Sequence, residues 1–152
     1  MHIPSQMISS SLRGALLTHS NFTAADLQGR DLSRADFSGS SFRGANLSNA
    51  NLSGTALRNA DLRGANLSQA ILCEADLSEA DLTGANLSGA NLSQAHLCRT
   101  NFDNADLSDA DLSHACLLNA SMTKAILINT KLETAHIRKT NLSVVTRQAV
   151  DR

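Results

Sequence analysis

Histidine and cysteine side chains recur at a fixed interval in the second half of the chain. The residue numbers of Asp76, His96, Cys116 and His136 increase in steps of 20. Imidazole nitrogens and thiolates are common ligands of zinc and copper, and a cysteine beside a histidine can act as an activated nucleophile. These side chains can act together only if the chain returns to the same place at each such step. The same condition decides what surrounds Cys98, the second residue after His96.

Acidic side chains are concentrated in the middle of the chain. Residues 74–111 hold eight acids against one base, Arg99, a net charge of −7, whereas residues 1–73 carry +2 and residues 112–152 carry +4. The formal charge of the whole chain is −1, so it has no strong field to attract nucleic acid or an anionic membrane. A local acidic band can instead dock a basic partner. Its members are Glu74, Asp76, Glu79, Asp81, Asp103, Asp106, Asp109 and Asp111.

The composition argues against several other classes of protein. The 152 residues suit one domain, and four Phe with no Trp or Tyr give no stacking platform for single-stranded nucleic acid. No run of 18 apolar residues is present, so we expect no membrane span. Residues 1–20 lack the order of a signal peptide, and three cysteines suit a reducing compartment. We therefore expect a cytoplasmic protein, with effector secretion lacking a classical signal as the alternative.

A five-residue period runs without interruption through most of the chain. The centre of each quintet is large and apolar at all 27 positions from Leu12 to Leu142. Two residues earlier, the small position is Ala in 19 quintets and Ser or Thr in seven, with Arg30 as the exception. The outer position, directly before the centre, is Asn or Asp in 16 quintets. We call the residue directly after the centre the following position and the next residue the turn position. All eight glycines of the chain lie at turn positions.

A period of five fits neither an α-helix nor a flat strand. A helix turns by about 100° per residue and would spread the centres around its whole circumference. On a strand, an odd period would send successive centres to opposite faces. Each quintet must therefore bend, so that the centre and the small position point inward and the outer position points to solvent. Glycine at the turn position supplies the positive φ that such a bend needs.

The period alone does not fix the number of quintets in a coil. Right-angle bends would give four, while three or five stay open on the pattern itself. The quintets 45–49, 65–69 and 85–89 each begin Ala-Asn-Leu-Ser, and with the other quintets from about residue 10 to 144 they resemble the pentapeptide-repeat family. The resemblance implies an all-β fold, a right-handed quadrilateral parallel β-helix of about seven coils. A right-handed winding also agrees with the crossover rule for parallel strands.

The two ends of the chain depart from the repeat and are expected to cap it. We assign residues 1–10 to an N-terminal cap, 11–142 to the β-helix and 143–152 to a C-terminal cap, in which Ser143 would begin a short helix. Three outward apolar residues near this end, Leu118, Ile126 and Ile128, either lie beneath the terminal segment or form a patch for a homodimer or a partner. Val145 and Val150 of the terminal segment belong to an apolar stripe that would cover the last coil or contribute to that patch.

With four quintets per coil, each step of 20 in residue number would bring the chain back to the same face, about 4.8 Å along the rod. His96, Cys116 and His136 would then form one outward column, with His114 near Cys116. The pattern favours incidental surface residues there, and a metal-binding or thiol-active protein is the alternative. Cys73 stands alone and is expected to be inert.

No motif in the chain indicates catalysis. The sequence has no phosphate loop, no nucleophile elbow, no paired CxxC and no long loop of the kind that carries catalytic residues. The recurrent outer Asn and Asp suit a structural role, bonding the neighbouring turn. We therefore predict a non-enzymatic scaffold without a cofactor, which docks a macromolecular partner through its outer faces. The resemblance implies one further alternative, a bacterial DNA mimic that binds a type II topoisomerase such as gyrase and no nucleic acid itself.

Overall fold

The computed structural model describes residues 11–143, which wind as a stack of parallel coils. Between these residues the chain has no helix and no strand longer than one paired residue. Its 22 parallel bridges all join partners whose numbers differ by 20, from Leu16 and Asp36 to Ser121 and Asn141. Four quintets therefore complete each coil, and three or five per coil are wrong. The all-β prediction is confirmed in this form of very short extended segments.

Each coil has four faces, one for each of its quintets. We number the faces by the centres they contain, in steps of 20: face 1 runs from Leu12 to Leu132, face 2 from Leu17 to Ile137, face 3 from Phe22 to Leu142 and face 4 from Leu27 to Leu127. Faces 1 and 3 are opposite each other, as are faces 2 and 4.

Backbone hydrogen bonds join neighbouring coils in a pattern that repeats in successive quintets. The Leu17 amide donates to the Asp36 carbonyl at 2.8 Å, and the Asp36 amide donates to the Ala15 carbonyl at 2.9 Å. A third bond, from the His19 amide to the Ser38 carbonyl, spans 2.9 Å at the bend. These bonds give partners to backbone polar groups that the stacking of the coils takes out of water.

The centres form one continuous apolar column along the axis. Of the 27 centres, 23 are buried, and the predicted inward direction is therefore confirmed. Alanine fills most small positions, and where Thr replaces it the hydroxyl donates inside the rod, as from Thr55 to the Leu32 carbonyl at 3.2 Å. Arg30 is the exposed exception. Near the N-terminal end, Phe22 and Phe42 stack with ring centroids 4.7 Å apart.

The bend in each quintet places its turn position in the left-handed region. All 26 turn positions from Gly14 to Lys139 have φ between 54° and 68°, although only eight are glycine. The Ala25 amide donates to the Phe22 carbonyl across one such bend at 3.0 Å. The sequence pattern associates positive φ with glycine alone, whereas the geometry imposes it on every quintet.

The apolar column is less covered at its C-terminal end. Leu132 and Leu142 are half-buried, and the Ile137 side chain is 45% exposed. The proposed N-terminal cap, 1–10, lies outside the described residues, as does all of the proposed C-terminal cap, 143–152, except Ser143, so the terminal helix stays a prediction. Among residues 11–143, none belongs to a helix able to cross a bilayer.

Candidate functional site

The outer Asn and Asp residues all serve the local backbone. In each of the 16 quintets that carry one, its Oδ1 accepts a hydrogen bond from the second amide after it. At Asn66, for example, the Ser68 amide donates across 3.1 Å. This side-chain bond fixes the start of the bend. The structural interpretation of these residues is therefore confirmed.

On the outer faces, side chains of adjacent coils also contact each other diagonally. The following position of one coil contacts the outer position of the next coil, whose residue number is higher by 18. Thr23 and Ser41 meet in this way at 2.9 Å between their hydroxyl oxygens. Arg58 reaches Asp76 at 3.3 Å between Nη1 and Oδ2. Residues can therefore interact at a separation of 18 as well as 20, and only the separation of 20 entered the sequence analysis.

Arginine neutralises part of the acidic band. Besides the Arg58–Asp76 pair, Arg99 meets Glu79 at 3.1 Å and Arg63 meets Asp81 at 3.7 Å. Arg63 also donates to Asp61 on face 3, and this hydrogen bond lowers the pKa of the Asp61 carboxyl. These pairs are partly exposed and contribute little stability, but they cancel the field of three of the eight acids.

Four acids of the band lie together without an arginine or lysine in their own stretch of chain. Residues 100–123 contain no basic residue except His114. The four acids occupy consecutive quintets that pass from face 3 across face 4 to face 1, and we call them the acidic arc: Asp103, Asp106, Asp109 and Asp111. The Ser113 hydroxyl and amide lower the pKa of Asp111, so that carboxyl is ionised at neutral pH. The remaining acid, Glu74, lies two coils away from the arc.

The predicted His/Cys column exists as a register. Bridges join Asp76 to His96, His96 to Cys116 and Cys116 to His136 on face 2. Within residues 11–143, however, no three His, Cys, Asp or Glu side chains are grouped so as to hold a metal ion. His114 does not join the column either, since its Nδ1 contacts the Thr134 hydroxyl on face 1. The column is a line of stacked residues without a ligand geometry.

The close contact of this region joins two cysteines instead. Cys98 and Cys116 are diagonal neighbours, and their Sγ atoms are 2.8 Å apart. Both are free thiols with half-buried side chains. Burial, followed by the hydrogen bond with Cys116, raises the pKa of Cys98 to about 11. The sequence analysis missed the pair because it compared Cys116 only with residues at a separation of 20; the separation of 18 was the available signal.

A known sequence family shares the five-residue repeat of this chain. The family described as Pentapeptide repeats matches the chain in eight copies, over residues 6–39, 40–79, 50–89, 75–113 and 105–143. The chain belongs to the pentapeptide-repeat family. Its members form right-handed quadrilateral β-helices, which agrees with the four-quintet coil. Among curated proteins, none matches this pentapeptide-repeat chain in sequence.

Solved structures of other pentapeptide-repeat proteins resemble the chain. HetL, involved in heterocyst differentiation regulation in Nostoc sp. strain PCC 7120, is 30% identical; the match covers 86% of this chain and 75% of HetL, with a TM-score of 0.37. The protein alr5209, also from Nostoc, is 32% identical over 74% of this chain and 84% of its own, with a TM-score of 0.49. QnrB1, a plasmid-mediated fluoroquinolone resistance protein, is 23% identical over 91% of this chain and 85% of its own, with a TM-score of 0.48.

The predicted oligomer patch is divided by the pentapeptide-repeat coil. Leu118 lies on face 2 and is 37% exposed, whereas Ile126 and Ile128 lie half-buried on the opposite face 4. Val145 and Val150 fall outside the described residues. The three described residues therefore do not form one continuous surface.

Proposed function

We propose that this protein is a non-enzymatic interaction scaffold, a rigid rod that docks a macromolecular partner through an outer face. The observation that supports it most directly is the unbroken register of bridges, with its repeated bonds between coils. A rod of this kind presents side chains at fixed spacing and meets a partner with little loss of conformational freedom. All 16 outer Asn and Asp are engaged with their own backbone, which leaves them poorly suited to acid–base chemistry.

The acidic arc is the surface that we assign to docking. Among residues 11–143, none of its acids is in an ion pair, and the diagonal neighbours on the preceding coil are serines at both outer positions, Ser88 for Asp106 and Ser93 for Asp111. Lys131, directly above Asp111 on the next coil, offsets part of that one charge. Asp103 lies at a following position, and its diagonal neighbour on the next coil, Ser121, donates its hydroxyl to the carboxylate. In the described part of the chain, no arginine pairs with these four acids as Arg58, Arg63 and Arg99 do with other acids of the band. A partner with a basic surface would therefore be steered to this part of the rod.

The charge pattern favours a basic protein partner over the DNA-mimic alternative. A mimic of duplex DNA needs rows of acids along the rod, because the duplex carries a negative charge about every 1.7 Å. On face 3 of this rod, acids alternate with arginines: Arg43 lies 4.0 Å from Asp61, which Arg63 also contacts. A supercoiling assay tests the gyrase alternative directly, and inhibition by the purified protein at micromolar excess would favour it.

The two ends of the chain complete the proposal. With four quintets per coil, the repeat over 11–142 would form about seven coils. We propose that the segment 143–152 covers the exposed Ile137 at the C-terminal end, as a short helix or in a homodimer. Sedimentation of the full chain and of a chain ending at Ser143 tests whether this end joins two copies.

A matched pair of variants tests the docking surface. In the arc variant, all four acids of the arc become Asn; in the control variant, four outer acids elsewhere become Asn, namely Asp26, Asp31, Asp36 and Asp76. Asn already occupies the outer position at many quintets, including Asn86 and Asn91 directly below Asp106 and Asp111, so the outer residues of both variants retain the bond to the backbone. At Asp103 and Asp109, which lie at a following and a turn position, an Asn oxygen can still accept from Thr123 and Asn129. Tagged wild-type protein captures partners from host lysate, and the captured partner is then purified for titration.

The two variants distinguish the effect of the acidic arc from the effect of the net charge of the chain. The arc variant should bind the purified partner at least about tenfold more weakly, and higher salt should weaken the wild-type complex, since exposed charges steer binding. The control variant, with the same change in net charge, should bind nearly as the wild type does. Equal affinity of the two variants would contradict docking through the arc.

A further inference from the structure

Two cysteines of adjacent coils are in contact on face 2. Cys98 occupies the following position of one quintet, and Cys116 occupies the outer position one coil later. Their Sγ atoms are separated by 2.8 Å, and the Cys98 thiol also lies 3.8 Å from the Cys116 carbonyl oxygen. A disulfide needs the two sulfurs about 2.05 Å apart. The sulfurs are therefore less than an ångström from bonding distance.

The backbone around the pair is held by the coil-to-coil hydrogen bonds. The Leu97 amide donates to the Cys116 carbonyl at 2.8 Å, and the Arg99 amide donates to the Leu118 carbonyl at 2.9 Å. These bonds fix the two chain segments on either side of the thiols. Small rotations of the two cysteine side chains, rather than movement of the coils, would close the remaining gap.

We propose that Cys98 and Cys116 are an oxidation site, at which a peroxide converts the two thiols to an intrachain disulfide joining adjacent coils. Neither the proposed docking function nor the family assigns such a site, and the proposal does not depend on the acidic arc.

The chemistry requires one peroxide for each disulfide. The Cys116 sulfur attacks a peroxide oxygen, the O–O bond breaks, and Cys116 becomes a sulfenic acid with release of one water. The Cys98 sulfur then attacks the Cys116 sulfur, the S–O bond breaks, and the second water leaves with the Cys98 proton. Two thiols are oxidised by two electrons and hydrogen peroxide is reduced to two waters. Cys98 is not assigned the first attack because its raised pKa disfavours the thiolate that reacts with peroxide, whereas its contact with the Cys116 sulfur places it for the second step.

The third cysteine provides an internal comparison. Cys73 also occupies a following position and is half-buried, like Cys98. Its diagonal neighbour on the next coil is Asn91, so no second thiol faces it. If contact between thiols governs the reaction, Cys73 should stay out of any disulfide.

A Cys73→Ser variant makes the product unambiguous, since only the proposed pair is left. Serine is the usual residue at the following position, as at Ser53 and Ser93, so the variant should fold. The reduced protein is treated with hydrogen peroxide, its free thiols are blocked with maleimide, and the denatured chain is digested with trypsin. Cleavage after Arg99 separates the two cysteines. The expected product is a peptide pair lighter by two hydrogens than the sum of its parts and separated by dithiothreitol.

A stability measurement supplies the second readout. Closing the short loop between the two cysteines should raise the melting temperature of the oxidised protein by roughly 5–10 °C, and dithiothreitol should reverse the change. The single variants Cys98→Ser and Cys116→Ser should show neither the cross-link nor the shift. Serine occupies the outer position at Ser121 and the following position at Ser78, so both variants suit the coil.

Three outcomes would overturn the proposal. One is that maleimide still labels both thiols after peroxide treatment that oxidises free cysteine in solution. Another is that the disulfide joins two chains, seen as a dimer on a non-reducing gel. The third is that wild-type protein links Cys73 as readily as Cys98, which would mean that contact across the coils does not direct the reaction.

Discussion

Truncation of one buried centre tests the apolar column on which the fold depends. Leu67 lies on face 4 between Leu47 and Leu87, one coil below and one above, and all three side chains are fully buried. Leu67→Ala removes three carbons, and at about 0.8 kcal/mol each the lost transfer free energy is about 2.4 kcal/mol. The rigid coils on both sides cannot collapse into the gap, so a cavity adds to this cost. We expect a total loss of about 3–5 kcal/mol in the free energy of unfolding.

Urea and thermal denaturation, followed by circular dichroism, measure this loss. A decrease of about 3–5 kcal/mol corresponds to a fall in melting temperature of about 6–20 °C for a chain of this size. Ile137→Ala is the control, because it removes as many carbons from a centre that is 45% exposed at the end of the column. The control should cost less than about 1 kcal/mol. Equal losses in the two variants would refute a core made of the quintet centres.

Three further changes test the bends and the outer positions. Asn66→Ala should lower the free energy of unfolding by about 1 kcal/mol, because the side-chain bond to the backbone is lost, while Asn66→Asp should lower it little. The midpoints of urea denaturation distinguish the two variants. Gly84 has φ +67° and open space where a Cβ would lie, so the backbone conformation alone limits the residue here. Gly84→Asn should therefore be tolerated, whereas Gly84→Val should lower the free energy of unfolding by about 2 kcal/mol, as measured by thermal melting. Serine hydroxyl and amide bonds lower the pKa of Asp31, Asp36 and Asp111. Their stabilisation is therefore present above about pH 4, near the unfolded pKa, and is lost as pH falls through the folded pKa. Changing all three to Asn should flatten the difference between urea midpoints at about pH 6 and about pH 3.

Much of the fold follows from the quintet pattern because each position in it has one physical role. A large centre such as Leu67 can point only inward, and an Ala at the small position fits where the walls approach closely. The pattern assigns the outer Asn and Asp to the backbone, and the structure places all 16 of them there. The number of quintets per coil could not be derived from the period, because it depends on the bend angle, which the pattern does not state.

The positive φ of the bends and the contact between the two cysteines could not be predicted from the sequence pattern. Positive φ at residues such as Thr134 and Lys139 is imposed by the coil and not by local preference, since residues other than glycine rarely adopt it and β-branched residues such as threonine avoid it most. The Cys98–Cys116 contact depends on the diagonal offset between coils, which a single vertical repeat of four quintets does not contain. In both cases the missing information was the path of the backbone between two quintets, and not the character of any one residue.

The diagonal offset also changes how charge along the chain should be assessed. Summed over residues 74–111, the net charge of −7 suggests an even band around the rod. On the folded surface, an acid at an outer position is neutralised when its diagonal neighbour on the preceding coil is an arginine, as at Asp76 and Asp81. Where that neighbour is a serine instead, as at Asp106, no such ion pair forms and the charge is left for a partner. At Asp111, which also has a serine there, Lys131 on the next coil offsets part of the charge. The distribution of arginine among following positions, more than the number of acids, therefore determines which face of the rod is electronegative.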